Sequence, residues 1–256
     1  MSEKGNQAVK TVSFMMLITL FGKILGMVRE QLLAANYGTD MQAAAFLLAS
    51  RIPRTFFDVI FASAISASFI PVFVEYLQKK GRKEAFSLAN RFITMISTVT
   101  LLMMLLGMAF AKPLTLLIAP GYDVETVTLC VGLLRMLFPT MLFTAVAFSF
   151  VGILQSLEEF NVPAALSVVS NGVLILYYIF FNEKFGILGL TVAFLIGWAM
   201  QAVIQIPSLW KKGYHYRPDF HFKDEGLRKI GRLMLPVMVS TWIQPINFMV
   251  NTRFAS

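Results

Sequence analysis

Residues 41–80 read MQAAAFLLASRIPRTFFDVIFASAISASFIPVFVEYLQKK. The part from 41 to 77 is apolar enough to lie in hydrocarbon, yet about 20 residues at 1.5 Å each already cross a bilayer. A helix of that length must tilt, protrude or break. Pro53 and Pro71 supply the breaks, since each removes a helix hydrogen bond. Near the middle stand Arg51, Arg54 and Asp58. A charge in hydrocarbon costs at least about 2.5 kcal/mol on insertion scales, so three within eight residues need a partner or a use.

The rest of the chain has the same character. It is 57% hydrophobic and only 14% charged, with a mean hydropathy of +0.70, where soluble domains carry about 25% charged residues. Apolar runs place spans at about 12–36, 41–77, 86–111, 126–155, 162–182, 186–210 and 230–256. The fold class is therefore an all-α polytopic membrane protein. The first apolar run carries Lys23, Arg29 and Glu30 and simply continues, so it reads as an uncleaved span rather than a signal peptide. Six spans form a natural bundle, and a seventh ending at VNTRFAS has nothing to pair with. The expectation is a six-span lobe with its cytoplasmic linker over 1–225, followed over 226–256 by the first span of a truncated second lobe.

The basic residues set the orientation. Lys4 and Lys10 precede the first span. Lys79, Lys80, Arg82, Lys83 and Arg91 follow the second, and Lys211, Lys212, Arg217, Lys223, Arg228, Lys229 and Arg232 follow the sixth. Strict alternation puts all of these on one side and leaves only Lys112 and Lys184 on the other. The N-terminus is thus expected in the cytoplasm. A net charge of +8 is then mostly topology, which argues against a nucleic-acid partner.

Six basic residues remain inside spans: Lys23, Arg29, Arg51, Arg54, Arg135 and Arg253, against only Glu30 and Asp58. At 100° per residue, Thr19, Gly22, Lys23, Gly26, Arg29, Glu30 and Asn36 share about 140° of the first helix, and the rest of its surface is apolar. That shared face favours a cavity wall over isolated snorkelling. Arg51, Arg54, Thr55 and Asp58 also fall together if the helix survives Pro53. Two readings stand for them: an i,i+4 pair in which Asp58 neutralises Arg54, or a ligand-facing cluster. Arg135 lies four residues before Pro139, whose missing N–H leaves the Arg135 carbonyl open and predicts a kink. It suits either a cavity wall or a structural arginine bonded to carbonyls. Spans five and six hold no interior charge and are expected to serve packing and lipid contact.

A net-positive cavity favours an anion, and guanidinium groups match phosphate oxygens in forked geometry. A transporter of organic cations calls for carboxylates instead. The single Cys130 excludes an intrachain disulfide, and His215 and His221 sit in a charged loop. No phosphate-binding loop, metalloprotease motif or nucleophile motif is present, so neither an enzyme nor a cofactor is expected. The loop at 211–229 is too short for an ATPase domain. Transport would draw on an ion gradient, the membrane potential or the substrate's own gradient.

FGKILGMVREQLLAANYG (21–38) and AAAFLLASRIPRTFFDVIFASAISASFIPVFVEY (43–76) resemble the start of the MurJ/MviN family of lipid II flippases, in the multidrug/oligosaccharidyl-lipid/polysaccharide exporter superfamily. The resemblance implies fourteen spans in two lobes around a cationic cavity. It implies lipid II, a polyprenyl-pyrophosphate-linked disaccharide-pentapeptide, as substrate, moved from inner to outer leaflet of the bacterial cytoplasmic membrane by alternating access. Membrane lipids and the cell-wall synthesis machinery would be its partners. Lys23, Arg29, Arg51 and Arg54 would meet the pyrophosphate, with Glu30, Asp58 and Arg135 as further cavity residues.

Arg29 matches a family arginine, Lys23 stands where another is usual, and Glu30 replaces the usual Asp. Ala44 occupies an Asp position, Arg54 replaces Asn after Pro53, Phe57 lies where a further arginine is expected, and Ala62-Ser63 replaces an acidic-glycine step. The positive charge is redistributed rather than lost. These departures keep open an exporter of another polyprenyl-pyrophosphate glycan. A cation or drug antiporter of the same superfamily and a non-transporting scaffold are the remaining readings.

Overall fold

The computed structural model describes residues 3–38, 40–54, 63–241, 247 and 250–253. The regular elements among the described residues are all helices, with no sheet. Among the described residues, five helical segments are long and apolar enough to cross a membrane, at Val12–Tyr37, Arg82–Ala109, Val124–Ser156, Asn161–Phe180 and Asn182–Lys211.

α1 (Glu3–Tyr37) ends where Gly38 adopts φ +57°, and Asp40 caps α2 (Met41–Pro53) by accepting from the Met41 N–H at 2.7 Å. Within the long segment 41–77, residues 55–62 lie outside the described residues. α2 runs to Pro53, and from Ser63 the chain is helical through a π-helical turn at Ile65–Phe69 into α3 (Ile70–Lys79), with Pro71, which has no N–H to donate, directly after the π-helical turn. Of the two expected breaks, the one after Pro53 falls at residues 55–62, outside the described residues, and at Pro71 the chain stays helical, with a π-helical turn just before the proline.

Gly81, at φ +83°, starts α4 (Arg82–Ala109). A short α5 (Ala111–Ile118) follows, where the hydropathy reading left a connection; Ala111, Thr115 and Ile118 give it one buried face. Asp123 caps α6 (Val124–Leu137), accepting from the Glu125 and Thr126 N–H groups. The kink expected at Pro139 lies between α6 and α7 (Thr140–Ser156). A four-residue turn, α8 (Asn161–Ala164), precedes α9 (Leu166–Phe180). α10 (Asn182–Val203, with Gly186 non-helical at φ +52°), α11 (Ile206–Lys211) and α12 (Glu225–Thr241) follow, so the seventh segment begins five residues earlier than its apolar run.

Two apolar clusters organise these helices. One joins α2, α5, α6, α9 and α10 through residues such as Phe46, Leu134 and Phe194. The other joins the π-helical turn, α3, α4, α7 and α12, where Phe69 stacks on Phe73 and Phe92 at 5.3 and 4.6 Å between ring centres. Small residues set the close approaches: a Cβ on Gly152 would lie 2.9 Å from the Phe69 ring. α1 is different, for among its residues from Val12 onward only Gly22 and Leu33 are buried.

The loop between α11 and α12 is tied to α4 rather than loose. Tyr214 is buried and donates to Asn90 at 2.8 Å, and the Asp219 N–H donates to Thr94 Oγ1 at 3.1 Å. Arg91 bridges Asp219 at 2.9 Å and Asp224 at 2.6 Å, and Asp224 also caps α12. The His221 N–H first, then its ring and the Arg91 guanidinium, hold the Asp219 carboxyl down from 3.8 to about 2. A carboxyl depressed on folding stabilises fully above its unfolded value and loses that effect as pH falls through the folded one. The strap is therefore expected to loosen between about pH 4 and pH 2, seen as faster proteolysis at 211–224. Arg91→Ala strands two part-buried carboxylates at a cost of about 2 kcal/mol and should produce the same cleavage at neutral pH. Unchanged cleavage would show that the strap is held by something else.

Candidate functional site

The polar face of α1 turns toward α9, and the contact is built from small residues. Gly22 packs so closely that a Cβ there would lie 2.2 Å from Ser167 Oγ, and Gly26 faces the Asn171 amide. Asn171 then fixes the pair through both ends of its side chain. Its Nδ2 donates to the Gly22 carbonyl at 3.1 Å, and its Oδ1 accepts from Arg29 Nη1 at 3.1 Å. Arg29 is also ion-paired with Glu30 through Nη2. The guanidinium thus has two fixed partners and retains donors that can face the interior.

Below this contact lies a cavity of about 650 Å³, within the usual range of about 300–1,000 Å³ for ligand sites. Thr19, Lys23 and Arg29 of α1 line one side and Arg54 another. Phe148 and Gln155 of α7, Ser167, Ser170 and Asn171 of α9, and Trp198 and Gln201 of α10 close the remainder. The Arg54 guanidinium lies over the Trp198 ring, 5.6 Å from its centre, where the ring face attracts a cation. A smaller adjoining space of about 30 Å³, room for a water or two, is lined by Arg29, Glu30, Arg51 and Arg54 together with Ser50 and Tyr178. Arg29 and Arg54 border both spaces. Among the described lining residues, four basic side chains face one carboxylate.

The face picked out on α1 by helical spacing is the cavity face, with Thr19, Lys23 and Arg29 on it. Asn36, at its far end, instead accepts from Asn182, whose Oδ1 takes a hydrogen bond from Tyr37 at 2.5 Å. Asp58, with Phe57, lies outside the described residues. Arg135 lines neither space; it is exposed, and its Nε donates to the Met108 carbonyl at 3.2 Å. Of its two readings, that bond is the one a structural arginine makes.

A family model for "Lipid II flippase MurJ" matches residues 33–256. The chain belongs to the MurJ family. It is 31% identical over 244 residues to the probable lipid II flippase MurJ of Buchnera aphidicola subsp. Acyrthosiphon pisum, covering 94% of this chain and 48% of that protein. Among solved structures it is similar to a lipid II flippase MurJ in an inward closed conformation, with a TM-score of 0.76 and 25% identity, covering 93% of this chain and 49% of that one. A MOP superfamily transporter from Pyrococcus furiosus shares the fold, with a TM-score of 0.73 at 16% identity over 93% of this chain and 53% of that one. The chain spans about half the length of the curated relatives it matches.

In this MurJ-family chain the wall contributed by α9 and α10 corrects the expectation that the fifth and sixth spans serve only packing and lipid. Ser167, Ser170 and Asn171 recur at helical spacing on α9, and Trp198 and Gln201 do so on α10. Those spacings were readable in the sequence, but without charges they were indistinguishable from hydroxyls bonded to their own helix, as Ser170 is to Leu166. Asn171→Leu keeps the approximate volume and removes both interhelical bonds, leaving the Gly22 carbonyl and Arg29 each short of a partner. A loss of about 1–3 kcal/mol is expected, measured as a lower unfolding temperature in detergent. An unchanged temperature would mean that α1 is docked by other contacts.

Proposed function

We propose that this chain is the N-terminal six-helix lobe, with the first helix of the second lobe, of a flippase that moves lipid II from the inner to the outer leaflet of the bacterial cytoplasmic membrane. On this reading, residues 1–225 are the lobe and its cytoplasmic linker, and 226–256 open the second lobe. Membership of the MurJ family makes lipid II the first choice. The observation that carries the reading is the collection of Lys23, Arg29, Arg51 and Arg54 around joined cavities with Glu30 as the one described carboxylate.

The chemistry follows from that charge balance. A pyrophosphate drawn into a low-dielectric cavity loses much of its hydration and needs charged donors in its place. Arg29 and Arg54 border the larger space and offer forked donors, while Lys23 supplies a point charge on the exposed side of α1. With phosphate between them, the cations repel one another less. Without it, their repulsion favours an open cavity. Differential stabilisation of two arrangements by a bound anion is what alternating access requires. The protein acts as a transporter rather than an enzyme, and product lipid II would pass to the cell-wall synthesis machinery outside. The positive-inside pattern supports a cytoplasmic N-terminus.

A second reading, export of a different polyprenyl-pyrophosphate glycan, is favoured by Arg54 and by Ala44 at a position the family fills with Asp. A cation antiporter is disfavoured by the same cavity charge. Arg29→Ala, Arg51→Ala and Arg54→Ala should each weaken lipid II binding by about tenfold, and together by about 100-fold or more. The measurement is titration of purified protein with lipid II, alongside complementation of a flippase-depleted strain. A triple variant that binds normally and complements would sink the site assignment. Tight binding of another polyprenyl-pyrophosphate glycan, with none of lipid II, would establish the second reading.

A further inference from the structure

On the other side of the α9–α10 pair the same two helices form a second, chemically different feature. Val173, Leu176 and Phe181 on one side and Phe185, Val192 and Ile196 on the other line a groove of about 470 Å³, with Gly189 at its floor. At 100° per residue, Val173 and Leu176 lie roughly opposite Asn171 on α9, and Gly189 and Ile196 roughly opposite Trp198 on α10. The groove therefore faces away from the cationic cavity and shares no lining residue with it.

Three properties define what fits. The walls are apolar, and the Tyr177 hydroxyl that borders them is already satisfied, donating to the Gly186 carbonyl at 2.6 Å. From Val173 to Phe181 the groove runs about 12 Å along α9, within the roughly 15 Å depth of one leaflet. At the Phe185 end, the Lys184 ammonium lies 5.2 Å from the centre of the Phe185 ring. No salt bridge joins Lys184 to a carboxylate among the described residues. Lys184 is also one of only two basic residues on the side read as outer.

We propose that this groove is a binding site for one anionic phospholipid of the outer leaflet, its acyl chain along α9 and α10 and its phosphate against Lys184. The occupant is a bilayer phospholipid rather than the substrate's polyprenyl chain, because the cavity that would hold a pyrophosphate opens on the opposite face of both helices. The site does not depend on the identity of the transported glycan. A lipid seated there braces the two helices that supply Asn171 and Trp198 to the cavity.

The test is native mass spectrometry of the protein purified from membranes, followed by delipidation and titration with phosphatidylglycerol or phosphatidylcholine. One tightly retained phosphatidylglycerol is expected, with phosphatidylcholine held more weakly. Lys184→Glu should reduce retention of the anionic lipid by about fivefold or more. Val192→Trp should fill the groove and reduce retention of both lipids. Lys184 and Val192 are exposed, so neither change should disturb folding, which circular dichroism checks, and the titration of the unsubstituted protein needs no variant. Equal affinity for the two lipids, equal retention by the variants, or a polyprenyl phosphate as the retained species would each overturn the proposal.

Discussion

Arg29 sits on a membrane-spanning helix with its guanidinium shared between Glu30 and Asn171, and much of the described structure is arranged around the need to keep such a charge out of hydrocarbon. A cation at membrane depth requires a counter-charge, fixed dipoles or water. Glu30 supplies the first and Asn171 the second. The cavity bordered by Thr19, Ser167 and Gln201 offers polar walls for the third. To bring Asn171 within reach, α1 and α9 must approach closely, which Gly22 and Gly26 permit. The glycines, the asparagine and the arginine thus form one unit in which each makes sense only with the others.

The two apolar clusters place that unit. α7 is buried over much of its length and is packed by α4 and α10, whereas α1 has little buried surface. Hydrogen bonds hold α1 at two heights, through Asn171 to Gly22 and Arg29 and through Asn182 to Tyr37 and Asn36. Contacts of this kind are directional and can be exchanged for water or phosphate, while the stacked rings of Phe69, Phe73 and Phe92 cannot. The described helices therefore combine a packed core with one helix whose position is governed by polar contacts lining the cavity.

Much of this was legible in the sequence, and the limits have physical causes. Long apolar runs gave the five described membrane-length segments to within four residues at each end, because a bilayer demands that pattern. The spacing of Thr19, Lys23 and Arg29 gave the cavity face of α1, because charge has few places to go in a membrane. Neutral polar residues carry no such constraint, so Asn171 and Gln201 passed as ordinary interior residues. α5 was hidden because its eight residues fall below the length of a span. The strap over α4 was hidden because Asn90, Arg91 and Thr94 meet Tyr214, Asp219 and Asp224 only after folding. Arg91 counted as a topology marker in the sequence, and in the fold it is also a clamp.

The central claim is that Arg29 and Arg54 receive the pyrophosphate of a polyprenyl-linked glycan in the cavity between α1, α7, α9 and α10. An electron cryo-microscopy structure of the protein with lipid II tests it most directly. The account predicts diphosphate density within hydrogen-bond distance of both guanidinium groups, with Asn171 still bonded to Arg29. Diphosphate density elsewhere, with this cavity holding only water, would contradict it.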